Sequence, residues 1–230
     1  MKKTVAIILA AGKGTRMGAQ VAKQYLEVDG RPLLYYTIKA FEESNIDEIV
    51  LVVGKGEEGY CKEKVADRYA FTKISHIVEG GKERYNSVYE GLKVAGECSY
   101  VLIHDGARPC LTSELINETL QEVKEKKACV VGMPVKDTIK VIDSRGQVVD
   151  TPERSTLMIT QTPQAFDYSL IMQAYKKLFT TEDINVTDDA MVVETMLEQK
   201  VFMVKGDYQN IKVTTPEDLV VVRQFLKYVE

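Results

Sequence analysis

Along the first 135 residues, short runs dense in Val and Ile alternate with longer stretches whose apolar positions recur at helical spacing. The runs at 5–9, 48–53, 73–78, 100–104 and 128–134 have the length and β-branched content of strands buried on both faces, as in a parallel sheet. Between them, 32–43, 57–69, 84–95 and 112–126 are predicted as helices. This βα repeat predicts an α/β fold, a doubly wound three-layer sandwich with a mainly parallel sheet.

Two segments break the alternation. In 138–154, "TIKVIDSRGQVVDTPER", short apolar stretches flank Ser144-Arg145-Gly146-Gln147, which predicts a protruding hairpin arm with a glycine turn. Such an arm has little core of its own and calls for packing on a partner subunit. The second break follows "QTPQAF" (161–166), after which helices at 168–179 and 187–199 precede a strand at 201–205. The last helix is announced by Thr215 as N-cap, Pro216 at the first helical position and Asp218 three beyond the cap.

Composition narrows the function classes. A chain of 230 residues with 45% hydrophobic and 28% charged residues is an ordinary globular composition, and a single domain is expected, with 138–154 as its arm. No apolar run approaches the roughly 18 residues a membrane span needs. Met1-Lys2-Lys3 before an apolar run resembles a signal peptide, but the run stops at Gly12-Lys13 and reads as a first strand, so a cytoplasmic protein is expected. A net charge of -4 argues against a general nucleic-acid binder, and the 12 tyrosines are not interleaved with basic residues. Cys61, Cys98, Cys110 and Cys129 are scattered, with only His76 and His104 to assist, so they read as reduced packing residues.

The chemistry concentrates in loops that follow strands. "LAAGKGTRM" (9–17) lacks the third small residue of a dinucleotide-binding turn, because Met17 stands there, and the next strand ends Gly54-Lys55 without a ribose-binding acid. A P-loop fails at the same Met17. What remains is a glycine turn with Lys13, Arg16 and, further on, Lys23, a combination suited to a nucleoside triphosphate through backbone N–H groups and cations. It equally suits a plain turn with solvated charges. Asp105, at the end of the strand 100–104, sits where open α/β sheets bind ligands and can hold a hard cation or cap a turn. Arg108 suits a phosphate or a pairing with Asp105. Gly80-Gly81 reads as a second small-residue loop or a simple turn. Lys212, between Ile211 and Val213, faces either solvent or a cleft. Arg154 suits a phosphate monoester, or a surface ion pair with Glu153 or Asp150.

Taken in order, "LAAGKGTRM", "KQYL", "GGKERYNSV", "HDGARP", "PVKDTIK", "QTPQAF", "TDDA" and "NIKVTTPEDL" resemble the family of 2-C-methyl-D-erythritol 4-phosphate cytidylyltransferases of the non-mevalonate isoprenoid pathway. The resemblance runs from Leu9 to Leu219. Ala22 departs from the proline usual before "KQYL", and Met158 from a frequent tryptophan. Lys82 stands where some members have an acid, which bears on hydrogen bonding to cytosine.

The resemblance implies a transfer from CTP to methylerythritol phosphate, a divalent cation such as Mg2+, and a homodimer joined through the arm. It implies Arg16, Lys23 and Lys212 as the cations at the triphosphate and the transition state. It implies Ala10, Ala11, Gly12, Gly14, Gly80, Gly81, Ser87, Asp105 and Ala107 at CTP, with Asp105 also at the metal. For the acceptor it implies Arg108, Thr138, Arg154, Thr187 and Asp188, with Thr138 and Arg154 supplied by the neighbouring subunit. The alternatives are a ribitol 5-phosphate cytidylyltransferase, a catalytically silent CTP-sensing module and a purely structural dimerisation protein.

Overall fold

The fold, obtained as a computed structural model, is described for residues 3–12, 22–182 and 185–227. The strands in chain order are β1 (Thr4–Ala10), β2 (Glu27–Val28), β3 (Arg31–Pro32), β4 (Glu48–Val53), β5 (Ile74–Glu79), β6 (Tyr100–Asp105), β7 (Ala128–Pro134), β8 (Val141–Ile142), β9 (Val148–Asp150), β10 (Met158–Asp167) and β11 (Phe202–Lys205). The helices are α1 (Leu33–Glu42), α2 (Glu58–Cys61), α3 (Arg84–Ala95), α4 (Ser113–Lys126), α5 (Tyr168–Leu178), α6 (Asp189–Leu197) and α7 (Pro216–Leu226).

Seven strands form one sheet in the order β11-β7-β10-β6-β1-β4-β5. All its pairings are parallel except the two made by β10. The central strands are apolar on both sides because helices cover both sides. On one face Ala6, Ile8 and Leu102 meet Leu34, Ile38 and Phe41 of α1 and Ile116 and Leu120 of α4. On the other, Val5, Ile7 and Ile103 meet Val88 and Leu92 of α3, Tyr175 of α5 and Val193 of α6. A smaller cluster of Val28, Leu33, Val213, Val222 and Leu226 seats α7 beside the β2–β3 ribbon. Gly91 sets the position of α3: a Cβ there would lie 2.6 Å from Ile7 Cγ2, so only glycine lets the helix lie this close on β1.

The expected strands and helices of the first half are present, with ends displaced by one or two residues. The helix expected at 57–69 is divided, α2 passing into a π-type segment at Lys62–Asp67. The arm is present as β8 and β9 around a turn in which Gly146 takes φ +80°, and Gly146 N–H donates to the Asp143 carbonyl at 3.0 Å. The Thr215 and Asp218 capping box at α7 is also present.

The central strand β10 departs from the sequence expectation. Its inner residues Gln161, Thr162 and Gln164 are buried and polar, and Pro163 interrupts them, so neither apolar content nor propensity marks a strand. The ladder on β7 shifts register between Thr160 and Gln164, around the proline, and each polar side chain finds a partner. No described helix is long and apolar enough to cross a membrane, and all four cysteines are free.

Candidate active site

The strand order reverses at β1, whose successor β4 lies on one side and β6 on the other. Open α/β sheets carry their ligand crevice outside the carboxyl ends of such a pair. A cavity of ≈ 730 Å³ opens there, between the β1 exit (Ala10, Ala11, Gly12), the β6 exit (Asp105, Ala107) and the start of α3 (Gly80, Gly81, Arg84, Ser87). Lys23 and Lys212 reach it from distant segments of the chain.

The two small-residue loops close on each other. A Cβ at Gly80 would stand 2.5 Å from Ala11 Cβ and 2.7 Å from Ser87 Oγ. Ser87 Oγ accepts from the Gly81 N–H at 3.1 Å and donates to the Glu83 carbonyl at 3.2 Å. Glu83 caps α3 reciprocally with Asn86. The helix therefore presents its N-terminal end, with its partial positive charge, to the cavity wall.

Asp105 sits among three cations. Lys212 Nζ is 2.9 Å from Oδ2, Arg108 Nε is 3.6 Å from Oδ2, and Arg84 Nε is 3.6 Å from Oδ1. Burial works against its charge, but Arg84, Lys212 and Arg108 outweigh burial and hold its carboxyl well below the usual carboxylate range. Behind it, the Asp105 N–H donates to Thr162 Oγ1 (3.1 Å), and Thr162 Oγ1 donates to His104 Nδ1 (3.0 Å). His104 Nε2 donates in turn to the Arg108 carbonyl at 3.4 Å, which assigns the proton to Nε2. Complete burial pushes the His104 imidazole down to about 3, so the ring is neutral and serves the β6 exit as a hydrogen-bonding post.

A second set of contacts fixes the β1 exit. Gln24 Nε2 donates to the Ala10 carbonyl at 2.5 Å. Glu57 accepts from the Tyr25 hydroxyl at 3.1 Å and from the Gly54 N–H at 3.2 Å. Lys23 Nζ reaches the Val213 carbonyl at 3.2 Å, and Val213 N–H donates to the Ala107 carbonyl at 2.8 Å, which ties the Lys23 and Lys212 segments to the β6 exit.

Of the residues singled out from sequence, Ala10, Ala11, Gly12, Lys23, Gly80, Gly81, Ser87, Asp105, Ala107 and Lys212 line this one cavity. Gly14 and Arg16 lie outside the described residues. Arg108 does not line the cavity; it pairs with Asp105 and donates from Nη1 to the Asn210 carbonyl at 2.7 Å. Thr138 and Arg154 stand exposed on the arm, Arg154 donating to the Lys136 carbonyl at 3.0 Å. Asp188 caps α6, accepting from the Met191 N–H at 2.9 Å, and exposed Thr187 precedes it, neither on the cavity wall.

Sequence reading passed over Arg84, Gln24, Lys55 and Glu57 on the wall. Arg84 and Gln24 lie inside the quoted motifs "GGKERYNSV" and "KQYL", so motif membership was their available signal.

Fold and site together define an α/β nucleotidyltransferase: a doubly wound sheet with a cation-rich cavity, walled by glycine loops, at its switch point. A sequence model of the family described as IspD, 2-C-methyl-D-erythritol 4-phosphate cytidylyltransferase, matches residues 4–228. A protein of that description from Clostridium perfringens (strain SM101 / Type A) is 51% identical over 228 residues, covering 99% of this chain and 100% of its own. One from Lachnoclostridium phytofermentans is 47% identical over 227 residues, covering 99% and 97%. Among solved structures, the 4-diphosphocytidyl-2C-methyl-D-erythritol synthase of Anaerococcus prevotii is similar at 38% identity and a TM-score of 0.87, covering 98% of this chain and 96% of that one. The chain belongs to the 2-C-methyl-D-erythritol 4-phosphate cytidylyltransferase family.

Proposed function

We infer that this cytidylyltransferase moves the cytidylyl group of CTP onto 2-C-methyl-D-erythritol 4-phosphate. A phosphate oxygen of the acceptor attacks the α-phosphorus of CTP in line, and the bond from that phosphorus to the β-phosphate bridging oxygen breaks. The products are 4-diphosphocytidyl-2-C-methyl-D-erythritol and pyrophosphate. No proton shuttle is needed, which agrees with a neutral, buried His104.

The observation that carries the reading is the convergence of Lys23, Lys212 and Arg84 on one cavity with Asp105 and the Gly80–Gly81–Ser87 wall. Like charges gathered in a concave site suit a polyanion and the charge spread of a pentavalent transition state. In this reading Lys23 and Lys212, with Arg16 from outside the described residues, neutralise the phosphates. The loops of Ala10, Ala11, Gly12 and Gly14 and of Gly80, Gly81 and Ser87 hold the nucleotide, with Ala107 beside it.

Asp105 is the residue that would hold magnesium. It is ionised and borders the cavity, and among the described residues no cluster of three candidate ligands exists. That fits an ion taking one protein carboxylate and filling its shell from phosphates and water. When bound, it neutralises phosphate charge.

The acceptor end rests on a second copy of the chain. The arm exposes Ile142 at 60% and Val149 at 61%, apolar surface suited to a neighbouring subunit of a homodimer. Arg154 and Thr138 on that arm are then assigned to the neighbour's acceptor phosphate, Arg108 to holding Asp105, and Thr187 to the acceptor's rim. A cytoplasmic location accompanies this reading.

The test is pyrophosphate release from CTP and magnesium with methylerythritol 4-phosphate and ribitol 5-phosphate side by side. Turnover with the first alone supports the reading to its acceptor. Turnover with ribitol phosphate alone overturns the acceptor, and silence with both overturns the transferase.

A further inference from the structure

Arg84 is held in a way that surface charge compensation does not require. Both terminal nitrogens of its guanidinium are engaged by Asp189, Nη1 with Oδ1 at 2.9 Å and Nη2 with Oδ2 at 2.7 Å. Asp189 is fully buried and also accepts from the Tyr175 hydroxyl at 2.6 Å. Gln164 of β10 clamps the start of α6, its Oε1 accepting from the Asp189 and Ala190 N–H groups at 3.0 and 2.9 Å. With its fork occupied, Arg84 turns only its Nε edge toward Asp105 Oδ1, leaving Oδ2 to Lys212 and Arg108.

A buried ion pair adds little net stability, because desolvating both charges offsets their attraction. Its effect here is directional: Oδ1 of Asp105 faces Arg84, while Oδ2 faces Lys212 and Arg108. A guanidinium released from Asp189 would be free to grip Asp105 with two nitrogens or to swing toward the phosphates.

We propose that Asp189 and Tyr175 are positioning residues, acting through Arg84 to orient the Asp105 carboxylate, so that the acidic 187–190 segment serves the reaction from inside the fold. This deepens the transferase reading and rests on it. It also explains why two adjacent aspartates differ, Asp188 capping the helix and Asp189 turning inward.

The test compares Asp189→Asn, Tyr175→Phe and the double variant Arg84→Met/Asp189→Leu with the wild type, following Tm, kcat and both KM values. Asp189→Asn is expected to lower Tm and to cut kcat about 10- to 100-fold, as loss of an orienting partner does. The double variant removes the buried Asp189 carboxylate together with its partly exposed partner, so Tm returns toward wild type while kcat stays low and, with one cavity cation gone, the KM for CTP rises. Recovery of kcat together with Tm, or a loss confined to KM, overturns the proposal. Tyr175→Phe keeps the ion pair and folds if the Asp189 variants do not; a fall in kcat at wild-type Tm supports the proposal, and wild-type kcat overturns it.

A readout independent of turnover is the crystal structure of Asp189→Asn. Arg84 is expected to leave its two-nitrogen contact with residue 189 and the Asp105 carboxylate to turn from its present orientation, in which Oδ1 faces Arg84 Nε and Oδ2 faces Lys212 and Arg108. An Asp105 carboxylate unmoved after Arg84 is released overturns the proposal, as does an Arg84 that stays in place. An inactive wild type would sink the transferase reading alone, since the structure of the variant still tests the positioning.

Discussion

Replacing Gly80 by alanine probes the closure of the two loops with a single methyl group. The added Cβ would meet Ala11 Cβ at 2.5 Å and Ser87 Oγ at 2.7 Å, with Ser87 Cβ at 3.3 Å. Carbon atoms rest in contact at about 3.5–4.0 Å, so the β1 exit and the start of α3 must separate by roughly 1 Å. Neither partner yields by rotating a flexible side chain, since Ala11 Cβ is fixed to the backbone and Ser87 Oγ bonds the Gly81 N–H and the Glu83 carbonyl. Overpacking of this kind costs about 1–3 kcal/mol, and for a chain of this size each kcal/mol lowers Tm by about 2–4 °C. A displacement of about 1 Å in a positioning element lowers turnover by about 100-fold. Gly80→Ala is therefore expected to lose about 2–12 °C in Tm and at least tenfold in CTP affinity, a 1.4 kcal/mol change, read by scanning calorimetry and isothermal titration. Gly59→Ala is the control, because a Cβ there meets nothing within 4 Å. If Gly80→Ala bound CTP and melted like the wild type, the two loops would not be in the contact that shapes the cavity.

Three further outcomes follow from the same geometry. Thr162→Val keeps the shape but strips partners from the buried Asp105 N–H and from His104 Nδ1, so urea denaturation should show a loss of about 2–6 kcal/mol, at about 1–3 for each orphaned group. A loss under about 1 kcal/mol would contradict the relay. His104 titrates at about 3 in the fold, below an unfolded imidazole at about 6.5, so the unfolded chain takes the proton first and stability falls as pH drops through that window. Between pH 7 and 5 the wild type should lose about 2 kcal/mol more than His104→Gln, a window in which Asp105, held low, contributes nothing; parallel slopes would show that His104 charges in the folded state. Arg154→Ala should weaken acceptor phosphate binding far more than CTP binding when each is titrated separately, and equal losses would remove Arg154 from the acceptor site.

What the sequence determined by itself was whatever rests on local physics. The parallel strands β1, β4, β6 and β7 are legible because covering both faces demands unbroken apolar runs, and a run of Val and Ile has few other uses. The α7 boundary is legible because Thr215, Pro216 and Asp218 satisfy the helix's own first N–H groups within four residues. Asp105 was recognisable because a charged residue ends an apolar strand, and the arm because Gly146 stands between two short apolar stretches.

Only the tertiary structure decided the rest. Strand β10 enters the middle of the sheet with Gln161, Thr162 and Gln164, residues whose burial is tolerable only because Asp207, His104 and the start of α6 supply partners from elsewhere in the chain. Arg84 and Asp189 lie 105 positions apart and meet because α3 and α6 cover the same face of the sheet. Lys23 and Lys212, each an unremarkable loop lysine in sequence, share a cavity because the Val213 carbonyl links their segments. A side chain's backbone neighbours govern its propensity and its cap, but its charge partners are whatever the packing of layers brings within a few ångströms.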